Sequence, residues 1–386
     1  MEAIKDWTEK NIKGDLVIWG VVFTLSILSI FVVYSSTGTL AYKMLEGNTE
    51  VYLIKHSLLV LLSLGAMWVA HKIDYRYYSK ISKLALWVSV PLLFITWQFG
   101  NSINEASRWI TIPIINQAFQ PSDLAKLALI TSLASMLAKR QQNIDDFRES
   151  LIPVLLWIGA ICGLIAMTDL SSAVLLMITC LLLMFIGRVP MKYLAMLVIV
   201  GGLAGTVALS VGQRGPTFFS RIESFLDKDE IPFQARHSYI AIATGGVYGK
   251  GPGQSDQRNY LPHPYSDFIY AIIVEEYGTI GGVGVVILYL ILLARGMRAV
   301  ANSQKAFGGL LSAGLSFALV IQAMVNMGVA VGLGPITGLP LPFLSMGGTS
   351  LLFTGIALGI IISVSRGELV EISGKSKEIR NVAKAA

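Results

Sequence analysis

The chain has 386 residues, of which 54% are hydrophobic and 14% charged, with a formal net charge of +6. A soluble domain carries about 25% charged residues, and the mean hydropathy here is +0.65. Those figures exclude an ordinary water-soluble protein and leave an integral membrane protein.

The apolar residues cluster in runs long enough to cross a bilayer, which takes about 20 residues each. Ten candidate spans follow in chain order: 15–34, 51–70, 83–99, 120–138, 151–168, 171–187, 192–212, 267–294, 306–330 and 348–365. They predict an all-α integral membrane protein, one polytopic domain over 1–386 with a long structured extracellular loop between spans seven and eight. The first run follows Lys5, Lys10 and Lys13 and lacks a small-residue cleavage site, so it reads as a retained span and not a signal peptide. Basic residues set the orientation. They gather at Lys72, Arg76, Lys80 and Lys83, at Lys139, Arg140 and Arg148, at Arg295, Arg298 and Lys305, and in the tail over 367–386. These segments and both termini are therefore expected in the cytoplasm. The net charge is mostly this bias, so no nucleic-acid partner is indicated. Cys162 and Cys180 fall inside spans five and six and read as small apolar fillers. Neither a metal-ligand spacing nor a disulfide framework is visible, and His56, His71, His237 and His263 are too scattered to suggest a metal site.

After span three, an outer loop carries Arg108 and Trp109. Span four opens with QPSDLAK and contains Lys126. The connection over 213–266 begins with Phe218, Ile222, Phe225 and Leu226 at helical spacing, with Arg221, Glu223 and Asp227 between them. That pattern suits a helix on the membrane interface, or one simply packed on the bundle. A second helix over 234–244 should stop at Gly245–Gly246. Next comes a glycine-rich stretch from Gly249 to Gln257, which includes Ser255. Its backbone N–H groups could cradle phosphate oxygens, or the glycines could mark a flexible turn. Arg214, Arg221, Arg236, Lys250 and Arg258 share this connection. With Arg108 they could hold an anionic substrate such as a pyrophosphate, or meet lipid headgroups.

Asp267 opens span eight after Leu261-Pro-His-Pro264, as a functional acid or as a cap and dipole partner. Glu275 and Glu276 lie about two turns deeper, and acids at that depth are costly. Lys126 is their expected counter-charge. Between spans nine and ten, residues 334–350 are uncharged and hold three prolines, so this backbone must line protein or water. Asn326, Ser345, Thr349 and Ser350 could bond a sugar or an amide, or satisfy local backbone.

Several strings together resemble one family. They are Ala106-Ser-Arg-Trp-Ile110, Phe119-Gln-Pro-Ser-Asp-Leu-Ala-Lys126, Gly249 to Gln257, Leu261-Pro-His-Pro-Tyr-Ser-Asp-Phe-Ile-Tyr270 with Glu275-Glu-Tyr-Gly278, and Gly338-Leu-Pro-Leu-Pro-Phe-Leu-Ser-Met-Gly-Gly-Thr-Ser350. In that order they resemble the SEDS proteins (shape, elongation, division and sporulation), the group of FtsW, RodA and SpoVE, with the division branch favoured. The resemblance implies a peptidoglycan glycosyltransferase of the bacterial cytoplasmic membrane, placed at the division septum, that polymerises lipid II into glycan strands. It implies a class B penicillin-binding protein and other division proteins as partners. Asp267 takes the family's essential aspartate position. Arg108, Trp109 and Lys126 take those of its loop arginine, loop tryptophan and intramembrane lysine. Arg221, Arg236, Lys250, Ser255, Gln257, Arg258 and Ser345 join Arg108 and Trp109 as candidate substrate contacts. Lys126, Glu275, Glu276 and Asn326 form a candidate polar network. The chain departs from the family at Met346, where a tyrosine is usual, and at Thr168-Asp-Leu-Ser171, where Pro-Asp-Leu-Gly is usual. No cofactor is announced, and a divalent cation at the leaving group stays an open alternative. A RodA-type elongation polymerase, a lipid II flippase and a non-catalytic division scaffold are the competing readings.

Overall fold

The computed structural model describes residues 13–38, 40, 42, 49–103, 106–112, 117–144, 146–211, 215–227, 231–303 and 305–385. The chain folds into helices α1 (Leu16–Ser36), α2 (Glu50–Lys72) and α3 (Tyr75–Phe99), then strands β1 (Asn101–Ile103), β2 (Ala106–Ile112) and β3 (Gln117–Phe119). Helices α4 (Pro121–Lys139), α5 (Ile152–Thr168), α6 (Leu170–Ile186) and α7 (Met191–Val211) follow. Then come α8 (Gly215–Leu226), α9 (Phe233–Gly245), α10 (Ile269–Asn302), α11 (Ala306–Ala330) and α12 (Gly348–Ala385).

A helix stands at each of the ten apolar runs. Among the described residues, seven helical stretches are long and apolar enough to cross a membrane, while Leu170–Ile186 and Met191–Leu203 are shorter apolar helices. The expected helical class holds, and one small sheet accompanies the helices. Strands Asn101–Ile103, Ala106–Ile112 and Gln117–Phe119 form a three-stranded antiparallel sheet in the order β1-β2-β3. Its strands are short and its composition mixed, so no long alternating pattern announces it.

Local chemistry sets several boundaries. Asp15 caps α1 through the Val17 N–H at 2.9 Å, and Asp74 caps α3 through the Arg76 N–H at 2.9 Å. Asp169 accepts from the Ser172 N–H at 3.2 Å and the Ser172 hydroxyl at 2.7 Å. This caps α6 immediately after α5 ends. Pro121 starts α4, where the missing N–H costs nothing.

The bundle is polar in places inside and apolar outside. Ser29, Ser36, Ser63, Ser312, Ser316 and Ser363 are fully buried. Phe23, Phe31, Leu84 and Trp87 are exposed. Lipid imposes that inversion: chains meeting hydrocarbon need no burial, and small hydroxyl residues let helices approach and bond one another. The Ser63 hydroxyl donates to Leu351 O at 2.5 Å, while Gly355 and Gly359 of α12 lie against the α2 backbone at Ser63 and Met67.

Candidate active site

Asp267 lies in a turn that precedes α10. Helix α10 begins at Ile269, and Phe268 holds the N-cap position without a side-chain bond. Asp267 is thus one residue outside the cap, which corrects the expectation that it opens the helix. Its carboxylate is half-buried and accepts from the Ser266 hydroxyl at 2.9 Å. Three bonds from distant elements fix the backbone here. Asn326 Nδ2 of α11 donates to Asp267 O at 2.8 Å. Ser345 Oγ donates to Ser266 O at 2.6 Å. The Met346 N–H donates to Tyr265 O at 2.8 Å. The Tyr265 hydroxyl meets His263 Nδ1 at 3.0 Å. Burial, and after it the neighbouring Tyr52 and Asp267, push the Tyr265 phenol up.

The uncharged segment over 334–350 is the clamp that supplies the Ser345 and Met346 bonds. Asn326 Nδ2 also donates to Leu339 O at 2.7 Å, and Gln322 Nε2 to Pro340 O at 2.9 Å. The Tyr289 hydroxyl donates to Pro342 O, and Ser29 Oγ to Leu344 O at 3.0 Å. Ser345 Oγ also accepts from the Leu341 N–H at 2.8 Å. Ser345 is 3% exposed and engaged in both bonding directions, so it serves backbone satisfaction instead of substrate contact.

Glu275 and Glu276 do not pair with Lys126. Lys126 Nζ lies 2.8 Å from Asp123 Oδ1, one turn earlier on the same helix. Together they line a cavity of about 70 Å³ with Gln322, Ser350 and Thr354. The partner of Glu275 is Lys250, at 2.7 Å, and Lys250 also meets Asp256 at 2.8 Å. Partial burial opposes the Lys250 charge, but bonds from Asp256 and Glu275 outweigh it and push this ammonium up. The same contact holds Asp256 below the usual carboxylate range.

The glycine-rich stretch is docked against α10. Lys250 and Gly251 donate their N–H groups to the carbonyls of Glu275 and Glu276 at 2.9 and 3.0 Å. In return, Thr279 and Ile280 donate to Gly246 and Val247 at 2.9 and 3.3 Å. Helix α10 breaks at Gly278, where φ is 69°. Gly249 and Gly278 sit where an added Cβ would come within 2.2 and 2.1 Å of facing carbonyl oxygens. Glycine is required at both because two backbones touch. The flexible-turn alternative falls, and so does the phosphate nest, since these amides already have partners.

The remaining candidates divide. Ser255 and Gln257 are buried. Ser255 Oγ donates to Glu275, and Gln257 Oε1 meets His237 Nδ1 of α9 at 2.7 Å. Arg258 Nη1 donates to Ser35 O of α1 at 3.0 Å, and the Ser35 hydroxyl donates to Glu276 Oε1. Arg221 Nη1 donates to Ile336 O at 3.1 Å, joining α8 to the clamp. It lines a cavity of about 580 Å³ with Asp227, Tyr239 and Pro335. Arg236 is exposed, and Trp109 is half-buried in β2. The side chain of Arg108, and Arg214, lie outside the described residues. The sequence reading missed Ser35, Asp123, Asp256 and Gln322. Asp123 could have been found from its three-residue spacing to Lys126, whereas Ser35 is 223 residues from Arg258 and carried no signal. Among the described residues, no group of three metal-ligating side chains occurs.

A helical bundle with a backbone-clamped carboxylate beside a cross-linked polar loop defines a class: multi-pass membrane proteins with one polar, chemistry-bearing end. Residues 15–369 match the family model for FtsW, RodA and SpoVE, described as cell cycle proteins, and the chain belongs to that family. It is 33% identical to stage V sporulation protein E of Bacillus subtilis (strain 168) over 369 residues, 93% of this chain and 99% of that one. It is 33% identical over 356 residues to the protein of Geobacter sulfurreducens (strain DL-1 / KN400) named "Probable peptidoglycan glycosyltransferase FtsW", covering 91% and 95%. A chain from a peptidoglycan synthase complex, solved for the coordination of polymerization and crosslinking, superposes with TM-score 0.70 and 27% identity over 92% of this chain and 98% of that one. The rod shape determining protein RodA of Thermus thermophilus superposes with TM-score 0.64 and 25% identity, covering 92% and 97%.

Proposed function

We propose that this chain is a peptidoglycan glycosyltransferase that polymerises lipid II into β-1,4 glycan strands at the outer face of the bacterial cytoplasmic membrane during division. The ten helices over the apolar runs are its spans. Both termini are cytoplasmic, in keeping with the basic clusters, and residues 213–266 face outward. No nucleotide sugar exists outside the cytoplasm, so the activated sugar arrives on a lipid carrier. Its pyrophosphate leaves as a stable anion and needs cations more than a general acid.

Asp267 takes the proton from the 4-hydroxyl of the acceptor GlcNAc. The freed oxygen attacks the anomeric carbon of the donor MurNAc on the face opposite the pyrophosphate. The new C–O bond forms as the bond to the pyrophosphate breaks, which inverts the α-linked donor to a β linkage. Arg108, Arg221, Arg236 and Arg258 hold the anionic groups, and Trp109 stands beside Arg108. Lys126, paired with Asp123, belongs to the structural polar network. A class B penicillin-binding protein crosslinks the strands, a reading supported by the similarity to a chain from a peptidoglycan synthase complex.

The observation that carries this reading is the seat of Asp267: a half-buried carboxylate whose backbone and neighbours accept three bonds from α11 and the clamp. The test is the purified chain with its transpeptidase partner, fed labelled lipid II, with glycan products resolved on a gel under moenomycin. Asp267→Asn should yield no polymer while the variant still folds and co-purifies with the partner. Polymer from a well-folded Asn variant would refute the assignment. Lipid II crossing vesicles without polymerisation by the wild type would instead favour the flippase.

A further inference from the structure

The carboxylate of Glu275 is fully buried, yet it is surrounded by donors. Lys250 Nζ reaches Oε1 at 2.7 Å and the Asp256 N–H reaches it at 3.2 Å. The Gln257 N–H reaches Oε2 at 3.2 Å, the Ser255 hydroxyl donates to the same oxygen, and Thr244 Oγ1 lies 3.5 Å from Oε1. A lysine, a hydroxyl and consecutive backbone amides following a glycine-rich stretch are the donor set that binds a phosphate. Here the protein's own carboxylate fills that place. A buried carboxylate with such a shell is over-determined in position, and so is everything bonded to it.

Two chains of bonds lead outward from it. Ser255 Oγ, held by Glu275, accepts the Arg258 N–H at 3.2 Å. The Arg258 guanidinium then bonds Ser35 O, and the Ser35 hydroxyl bonds Glu276. Along the other path, Gln257 O accepts the Leu261 N–H at 2.9 Å, and Leu261 opens the turn that ends at Asp267.

We infer that Glu275 is a positioning residue: its carboxylate takes the anion's place in the glycine-rich cradle and thereby fixes both Arg258 and the approach to Asp267. Lys250 is accordingly a strut of the cradle and not a ligand of the substrate pyrophosphate. This rests on the polymerase reading for its kinetic consequences, but not for its structural ones.

The test uses the full chain with its partner and makes two measurements on Glu275→Gln, Ser255→Ala, Lys250→Met and the Glu275→Gln/Lys250→Met double variant. Hydrogen exchange over 249–261 is read without any substrate. The three single variants should each accelerate exchange at Asp256 and Gln257 by about tenfold or more, leaving α11 protected. Lipid II kinetics should show kcat falling at least tenfold with KM within about threefold. The double variant should be no worse than the poorer single, since both remove one linkage. Wild-type exchange rates in Glu275→Gln and Ser255→Ala, or a tenfold rise in KM with unchanged kcat in Lys250→Met, would overturn the inference. An inactive wild type with these exchange changes intact would refute the polymerase reading while supporting the cradle.

Discussion

Asp267 reacts, on this account, through one carboxylate, but its placement is settled by groups that never meet substrate. Asn326 holds two carbonyls at once, Asp267 O and Leu339 O, and so joins the aspartate turn to the clamp. Removing it leaves the buried Leu339 carbonyl without that donor, at about 1–3 kcal/mol, and frees the part-buried Asp267 carbonyl as well. Asn326→Ala is therefore expected to lower thermal stability in detergent. It should also cut polymerisation on the order of 100-fold, the usual cost of about 1 Å of misplacement at a reacting group. Measuring glycan yield and the melting temperature together checks both. Ser345 teaches a related lesson. A serine in an uncharged loop suits a sugar or a carbonyl equally well in the sequence, and only its 2.6 Å bond to Ser266 O decides. Met346 contributes its backbone N–H to Tyr265 O, a bond that the departure from the family's tyrosine does not touch.

At the scale of elements, the paired break in α10 and the glycine-rich stretch form one device. Each lends the other backbone partners, so neither can shift alone. Gly278→Ala forces a Cβ to within 2.1 Å of Val247 O at a φ of 69°. Strain of that kind costs on the order of 1–3 kcal/mol before the clash is added. The variant should unfold at lower temperature and expose the 246–251 stretch to protease, as gel analysis of limited digests would reveal. The ion pairs also set a pH window. Asp256 is depressed below its ordinary value of 3.8 by Lys250, so its contribution is present above that value and is lost as pH falls through the depressed one. Lys250 is raised above 10.5, so its contribution is complete below that value and is lost only as pH climbs past the raised one. Hydrogen exchange across 249–257 should accordingly be flat from about pH 5 to pH 9 after correction for intrinsic rates, and protection should fall in stronger acid.

Over the whole molecule, the N-terminal end of α1 and the C-terminal part of α10 are tied by Arg295 and Asp15 at 2.6 Å, while the polar clamp and cradle gather at the opposite end. That separation gives the topology a direct test. A cysteine at Tyr248, which is 84% exposed, should react with a membrane-impermeant maleimide in intact cells. One at exposed Lys72 should react only after the membrane is opened. Native Cys162 and Cys180 are buried and should stay unlabelled in both conditions. Labelling of Tyr248→Cys only after permeabilisation would invert the orientation and remove the proposed chemistry from the outer face.

What the sequence by itself determined is what one-dimensional order carries: where the apolar helices lie, that the basic segments alternate, and that Asp267, Glu275 and Glu276 sit in unusual surroundings. Hydrocarbon leaves helix or barrel as the ways to satisfy the backbone, so long apolar runs translate almost directly into helices. The motif strings carried the family for the same reason, being local. Which charge meets which across segments was decided by tertiary structure. Lys126 and Glu275 looked like partners because both are charged and intramembrane, yet the fold gives each a different neighbour, Asp123 and Lys250. The Asp123 pair is one helical turn and was within reach of the sequence, but the Lys250–Glu275 pair and the clamp depend on distances of a few ångströms between segments tens to hundreds of residues apart, and chain order sets no such distance until the helices have packed.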